Sequence, residues 1–154
     1  MRHSDRLREA LAAHTTLSLA YADEDGPGAC AVLYAVSDTG GLVFLTARST
    51  RHGVALARQA PEARVAFTAH RDGQAWPSLT GVQGRGLCVR ASGETLAAAR
   101  AAYARRYPFV ATTGRLARAL SRADHWEIRP TWLRLVDNGR GFGHRTEWNA
   151  AEQG

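Results

Sequence analysis

A run of polar residues at 49–52, Ser-Thr-Arg-His, follows the apolar segment 42–46 and precedes a helical pattern over 53–60. The first turn of a helix carries unpaired backbone N–H groups and a partial positive charge. It can therefore hold a phosphate group together with nearby hydroxyls and Arg51. The same residue types also occur where a serine or threonine only caps the helix and the arginine stays in water. The local sequence indicates either a phosphate clamp or a capped helix, and it leaves both interpretations open.

A second candidate, Gln83, lies in the predicted strand 80–90, with Gly84 and Gly86 on the opposite face of that strand. Glycine weakens a strand unless a flat ligand or a barrel corner must approach the backbone closely. A glutamine amide can donate to and accept from the pyrimidine edge of a flavin ring. An exposed glutamine on a barrel strand is the alternative interpretation of the same residue.

The remaining residue types exclude several kinds of chemistry. The six histidines form no i, i+4 pair with a neighbouring acid and show no metal-ligand spacing with a cysteine, so no metal site is predicted. The chain has no lysine, which excludes Schiff-base chemistry, and no serine in a nucleophile elbow. A haem held by one axial histidine leaves no spacing signature and stays open. We assign no catalytic acid or base.

Composition predicts one globular domain over 1–154, because 45% of the 154 residues are hydrophobic and 22% are charged. No apolar run approaches the roughly 20 residues that span a bilayer, and the polar start is unlike a signal peptide. We therefore expect a cytoplasmic protein with no membrane partner. The net charge of +6 favours anionic partners. The arginine clusters have helical spacing, which is typical of solvated faces, so we predict no nucleic-acid binding.

The apolar pattern predicts a mainly β protein with helices, an α+β fold. Short turns join the first three strands, which indicates an antiparallel meander, and closing such a sheet into a barrel removes its exposed edges. The predicted strands cover 15–22, 29–36, 42–46, 64–70, 80–90, 125–129 and 132–136. The predicted helices start at a Ser4 cap, cover 53–60, run from a Ser92 cap to Pro108, and cover 113–123. The tail 138–154 is predicted as an irregular C-terminal arm that lies over another surface, such as a second subunit.

The run 43–52, continued to Pro61, resembles a known element. It is similar to the strand, the phosphate-binding Ser-Arg-Lys segment and the following helix of the FMN-binding split barrels in the pyridoxamine 5'-phosphate oxidase superfamily. Nearly the whole chain is also similar to a small, uncharacterised bacterial branch of that superfamily. The segments that carry this likeness are 81–86, 103–108, 126–129, 137–138 and 141–143, with Trp148. The resemblance implies a six- or seven-stranded antiparallel split β-barrel that binds FMN and forms a homodimer.

The resemblance also implies where FMN lies. Leu45 and Thr46 lie beside the flavin ring, and Thr50, Arg51 and His52 contact its phosphate. We further expect backbone groups of the strands 29–36 and 42–46 to fix the ring and an aromatic residue of the partner subunit to cover it. Trp76, Phe142 and Trp148 are the candidates for that cover. His52 stands where the oxidases have lysine, so the phosphate contact is expected to depend on pH. The implied cofactor-binding residues are Val32, Leu33, Leu45, Thr46, Thr50, Arg51, His52, Gln83 and Trp148.

Departures from the oxidase pattern argue against pyridoxal phosphate synthesis. Cys30 and Ala35 replace an arginine and a lysine of the oxidases, and Gly81 replaces their flavin-binding glutamine. Gln83 lies two residues further on the same strand face and is a candidate substitute. We therefore expect an FMN-dependent oxidoreductase that acts on an unknown small molecule. The alternative is a non-catalytic module of the same fold that binds flavin, deazaflavin or haem.

Overall fold

Seven strands and four helices make up the computed structural model, which describes residues 2–112 and 114–153, with side chains from Asp5 onward. The strands are β1 (Thr16–Asp23), β2 (Gly26–Val36), β3 (Leu42–Thr46), β4 (Ala63–Ala69), β5 (Thr80–Arg90), β6 (Asp124–Asp137) and β7 (Arg145–Asn149). The helices are α1 (Arg2–Ala12), α2 (Arg51–Arg58), α3 (Gly93–Arg106) and α4 (Arg115–Ser121). Short 3-10 turns lie at Trp76–Ser78, Pro108–Ala111, Asn138–Arg140 and Ala150–Glu152.

The strands form one antiparallel sheet in the order β3-β2-β1-β4-β5-β6-β7. A further pairing between β3 and β6 closes the first six strands into a barrel, and β7 lies outside it along β6. Strand β4 alternates strictly between buried and exposed residues, as expected where one face of a strand packs on a core. The predicted α+β class and the antiparallel barrel are confirmed.

Apolar side chains fill the barrel, and the largest fully buried ones are Tyr34 and Phe44. Helix α1 closes one end of this core with Leu7 and Leu11, both at most 2% exposed. Each large side chain buried in this way stabilises the fold by about 1.5–3 kcal/mol. A second, smaller cluster around Tyr103 packs α3 against the outer face of β2 and β3. Tyr107 and Val110, which follow α3, also pack against this cluster.

Strand β6 differs from the prediction, which had two separate strands at 125–129 and 132–136. The structure has one continuous strand with a shift in register, because Arg85 of β5 pairs with Trp132 whereas Gly86 pairs with Pro130. Thr131 is the extra residue of a bulge. Proline has no N–H to donate and is tolerated at such a point. The bulge lets the first half of β6 pair with β3 and the second half with β7.

The C-terminal tail also differs from the prediction of an irregular arm over 138–154. Its middle is the strand β7, which pairs with β6 from Trp132 to Val136. The predicted cap at Ser4 is wrong, since α1 begins at Arg2. Thr113, where a helix was predicted to start, lies outside the described residues, and α4 begins at Arg115. None of the helices described here has the length and apolar character to cross a membrane.

Candidate functional site

A split in the barrel lies between β2 and β3. The two strands pair only over 34–36 and 42–44, although both continue beyond that ladder. In the remaining part, Val32 and Leu33 pair with β1, while Leu45 and Thr46 pair with β6 on the other side. These four residues were predicted to flank the flavin, and in the structure they lie on the two strands that border the split.

The side chains of these four residues point in different directions. Val32 is 8% exposed and belongs to the barrel core, and Leu45 packs against the α3 cluster. Leu33 points outward and is 44% exposed. A ring in the split would therefore contact the backbone at Val32 and Leu45, and only Leu33 offers it an exposed apolar side chain.

A compact polar cluster lies where β3 leads into α2. Thr46 Oγ1 is 2.6 Å from His52 Nε2 and 2.8 Å from Thr50 Oγ1. Thr50 is the N-cap of α2: its Oγ1 accepts from the N–H of Gly53 at 3.1 Å and donates to the carbonyl of Ala47 at 2.8 Å. Both interpretations of the polar run are thus compatible, because the residue that caps the helix also belongs to the cluster.

Backbone donors complete this cluster. The first helical hydrogen bond runs from the N–H of Val54 to the carbonyl of Thr50 at 2.9 Å, so the N–H groups of Arg51 and His52 have no partner within the helix. A Cβ on Gly53 would lie 2.7 Å from the carbonyl oxygen of Ala47 and 2.8 Å from Thr50 Oγ1. Glycine at this position therefore allows the turn to fold tightly enough to gather the donors.

Arg51 does not point into the cluster. Its Nε donates to Asp23 Oδ2 at 2.9 Å, at the end of β1, and its Nη2 donates to Asp25 Oδ2 at 3.0 Å, in the turn that leads to β2. The hydrogen bond from Arg51 lowers the pKa of the Asp23 carboxyl. The arginine side chain is 63% exposed. A phosphate at the start of α2 would compete with these two carboxylates for the guanidinium.

His52 is uncharged over a wider pH range than a free histidine. Burial lowers its pKa below the ordinary value of 6.5, because desolvation disfavours the imidazolium. The short contact to Thr46 Oγ1 holds the ring with Nε2 toward the hydroxyl cluster. An anion beside that nitrogen would favour the protonated form, so binding of an anion and protonation of His52 reinforce each other.

Two predicted residues lie away from this cluster within one protomer. Gln83 is exposed on the outer face of β5, where it pairs with Thr68 of β4 and Arg134 of β6. Trp148 is half-buried on β7, opposite Leu133.

Sequence reasoning missed the acidic partners of Arg51. Asp23 and Asp25 precede it by 28 and 26 positions, and no periodic pattern links residues so far apart. The only available signal was the acidic composition of the predicted turn between the first two strands.

The comparisons with known proteins agree with this fold. A haem-binding protein from Mycobacterium smegmatis is 25% identical, with a TM-score of 0.70 over 97% of this chain and 58% of that chain. An FAD-binding protein from the same organism has a TM-score of 0.65 at 17% identity, covering 94% of this chain and 96% of its own. A pyridoxamine 5'-phosphate oxidase-related, FMN-binding protein from Nostoc punctiforme has a TM-score of 0.60 at 16% identity, covering 96% and 85%.

The chain has the split β-barrel fold of these neighbours, one of which is described as a pyridoxamine 5'-phosphate oxidase-related protein. No protein-family model matches the sequence. A curated relative, the UPF0306 protein YhbP of Escherichia coli O157:H7, is 35% identical over 127 residues, which are 81% of this chain and 79% of that protein. The chain belongs to the UPF0306 family.

Proposed function

We propose that this protein binds FMN in the split between β2 and β3 and works as a flavin-dependent oxidoreductase on a small molecule. One observation carries the proposal. The backbones of β2 at Val32 and Leu33 and of β3 at Leu45 and Thr46 are not paired with each other, and β3 leads from this opening directly to the polar cluster at the start of α2. A flat ring with a phosphate tail matches this arrangement of strand backbone and helix N-terminus.

The donor set fits a phosphate. Two backbone N–H groups without a helical partner lie at the start of α2, the Thr46 hydroxyl and the His52 imidazole lie beside them, and Arg51 adds a guanidinium from the rim. Bound FMN supplies hydride- and electron-transfer chemistry. The chain's own residues bind and orient it: the helix start holds the anionic tail, and Leu33 packs on the ring. Two solved neighbours are described as FAD-binding and FMN-binding proteins, which supports a flavin in this fold.

A homodimer is part of the proposal, because the outer face of β1, β2 and β4 carries a group of exposed alanines, although Ser18, Arg64 and Thr68 also lie on it. Its exposed side chains are mostly small: Ala20, Ala22, Ala29, Ala31 and Ala66. Leu33 lies at the edge of this alanine face next to the split. Gln83 lies on the far side, three strands from Ala31, or about 14 Å. In a twofold dimer through the alanine face, Gln83 of one protomer can reach the cofactor of the other.

Placing a charge in the middle of the alanine face tests the dimer. Ala20 lies between Ala29 and Ala66, so Ala20→Arg should convert a dimer into a monomer in sedimentation velocity and should also reduce FMN binding. Ala101→Arg, on the exposed side of α3, is the matched control and should leave the mass unchanged. A wild-type protein that sediments as a monomer, with or without FMN, would contradict the dimer.

Haem is the second candidate ligand, favoured by the haem-binding neighbour at 25% identity. The described residues show no cluster of three or more histidine, cysteine or acidic side chains that could hold a bare metal ion. A haem would need only one axial ligand. The flavin is preferred because the donor cluster at α2 matches a phosphate, whereas haem carries no phosphate.

Titration of the purified protein with FMN, deazaflavin and haem distinguishes these ligands by their visible spectra. We expect saturable FMN binding, and bleaching of the bound flavin by a nicotinamide cofactor if the protein is an oxidoreductase. The wild-type protein should gain affinity for FMN relative to His52→Gln, by about fivefold, as the pH falls from 8 to 6. The sign follows from the lowered pKa of His52, which leaves the ring neutral at pH 8 and lets the phosphate stabilise its protonated form at lower pH.

His52→Gln also controls for the titration of the phosphate itself, because that titration affects both proteins equally. A haem spectrum with no affinity for FMN would favour the haem-binding module. Bound FMN that no physiological reductant bleaches would favour a flavin-binding module without turnover.

A further inference from the structure

A cavity of about 590 Å³ lies between α1, α3, the β2–β3 turn and the second half of β6. This volume is in the range of small-molecule sites. Its walls near α3 and β7 are apolar and include Leu11, Val43, Ala99, Leu133 and Trp148. Alanines 98 and 99 on α3 leave room that larger side chains would fill, so the cavity follows from the sequence of that helix.

The polar end of the cavity is built around the carboxylate of Glu127 on β6. Ser37 Oγ donates to Glu127 Oε1 at 3.3 Å, and Thr39 Oγ1 lies 3.5 Å from the same oxygen. Ser37 is itself fixed, because its Oγ accepts from the N–H of Gly41 at 3.0 Å. A Cβ on Gly41 would lie 2.0 Å from Glu127 Oε1, so the absence of a side chain there lets the carboxylate rest against the turn.

This carboxylate has no cationic partner among the described side chains, 5–112 and 114–153. The hydrogen bonds described for it end on Oε1, which leaves Oε2 for a donor from a ligand. A half-buried carboxylate held by two hydroxyls favours an ammonium group over a neutral donor.

An arginine lies close to this carboxylate. Arg129 follows Glu127 by two residues on the same face of β6, about 7 Å away along the strand, and also lines the cavity. Arg129 is exposed and forms no ion pair among the residues the structure describes. Arg8 is already engaged, since its two terminal nitrogens donate to the carbonyls of Asp38 and Ser37 at 3.0 and 3.1 Å. Arg129 is therefore the group available to an anion.

We infer that this cavity binds a small zwitterion with an apolar body, of the α-amino acid class. Glu127 takes the ammonium group, Arg129 takes the carboxylate, and the body packs against Ala98, Leu133 and Trp148. Charge complementarity and the apolar walls carry this assignment. The charged groups of this site differ from those proposed to hold FMN: Gly41, beside Glu127, precedes β3, whereas Thr46 of the phosphate cluster is the last residue of that strand, which spans about 13 Å.

The probes are L-phenylalanine and L-leucine, with phenylacetate and phenethylamine as analogues that lack the ammonium or the carboxylate group. Incorporation of 5-fluorotryptophan gives one fluorine resonance for each of the four tryptophans, and Trp148→Phe assigns the one in the cavity. We expect the amino acids to shift the Trp148 resonance saturably and to bind at least about tenfold more tightly than either analogue.

Two pairs of variants test the geometry. Glu127→Gln should weaken amino acid binding about tenfold or more, whereas Glu62→Gln, at an exposed site outside the cavity, should not. Ala98→Leu fills the cavity without changing a charge and should abolish the shift, whereas Ala97→Leu, one position along α3 and outside the lining, should keep it. Unchanged binding in Glu127→Gln, equal binding of phenylacetate, or a Trp148 resonance that no probe moves would each overturn the assignment.

Discussion

Replacing Arg51 by alanine should weaken FMN binding by at least about tenfold, because it removes a charge-assisted contact to the phosphate. The fold should tolerate the change, since the side chain is 63% exposed and exposed ion pairs contribute little to stability. Quenching of flavin fluorescence measures the affinity, and thermal unfolding of the apoprotein verifies that the fold is intact.

Arg58→Ala is the matched control for this experiment. Arg58 has the same 63% exposure, lies on the same helix and pairs with an acid of the same turn, Glu24, at 2.7 Å. It differs from Arg51 in position, because seven residues of helix place it about 10 Å further from the helix start. Equal affinities of the wild type and Arg51→Ala would mean that the phosphate lies elsewhere, and equal losses in both variants would point to net charge alone.

The two acids beside Arg51 reduce the free energy that this arginine can contribute to phosphate binding. In the free protein the guanidinium is already neutralised by Asp23 and Asp25, so a phosphate gains less from Arg51 than it would from an unpaired arginine. The lowered pKa of His52 acts in the same direction, because the ring brings no charge to the cluster until an anion arrives. Both features predict a cofactor that is held less tightly near neutral pH than in a site with a free arginine and a lysine.

Local pattern was enough to predict the elements around this site. The strands at 42–46 and 80–90 have the predicted bounds, because their apolar runs end at polar or turn residues. The polar run at 49–52 was also found from type and position alone, since helix starts follow local rules. The segment that leads from β3 into α2 was therefore predictable without knowledge of the rest of the chain.

The features that the sequence did not predict all depend on contacts between residues that are distant in sequence. The split arises because β3 pairs with β2 only up to Phe44, whereas it pairs along its whole length with β6, about 80 residues later in the chain. The single strand β6 depends on a bulge opposite Gly86, which two short apolar runs separated by Pro130 do not reveal. The salt bridges of Arg51 depend on how α2 docks on the β1–β2 turn. The short-range hydrophobic pattern of the sequence predicts neither the split, nor the bulge, nor these salt bridges.

The structure explains why residue 84 in β5 is a glycine, which the sequence left open. A glycine in a strand indicated the close approach of a flat ligand or a barrel corner. In the structure, the ring of Phe67, its direct partner on β4, occupies the space over Gly84 inside the barrel. Gly86 lies against the bulge of β6, where a Cβ would be 2.5 Å from the carbonyl oxygen of Arg129, so a glycine lets the two strands approach closely. Both glycines serve the barrel, so neither supports a ligand on that face of β5.

Gly84→Ala should destabilise the protein by roughly 1–3 kcal/mol, because overpacking of a filled core forces side chains or backbone to move. The new Cβ would lie 2.1 Å from Phe67 Cζ, and Phe67 is only 3% exposed. Urea unfolding of the wild type and the variant measures the difference. Gly81→Ala on the same strand is the control, because its nearest contact would be 3.1 Å, and its effect should stay within about 1 kcal/mol.

A second substitution identifies the clash as the cause. Phe67→Leu removes the end of the ring, so Gly84→Ala should cost clearly less in that background than in the wild type, and the double-mutant cycle should show a coupling of about 1 kcal/mol or more. Equal costs in the two backgrounds would instead assign the loss to the strand backbone, and the space over Gly84 would then no longer be explained by the phenylalanine ring.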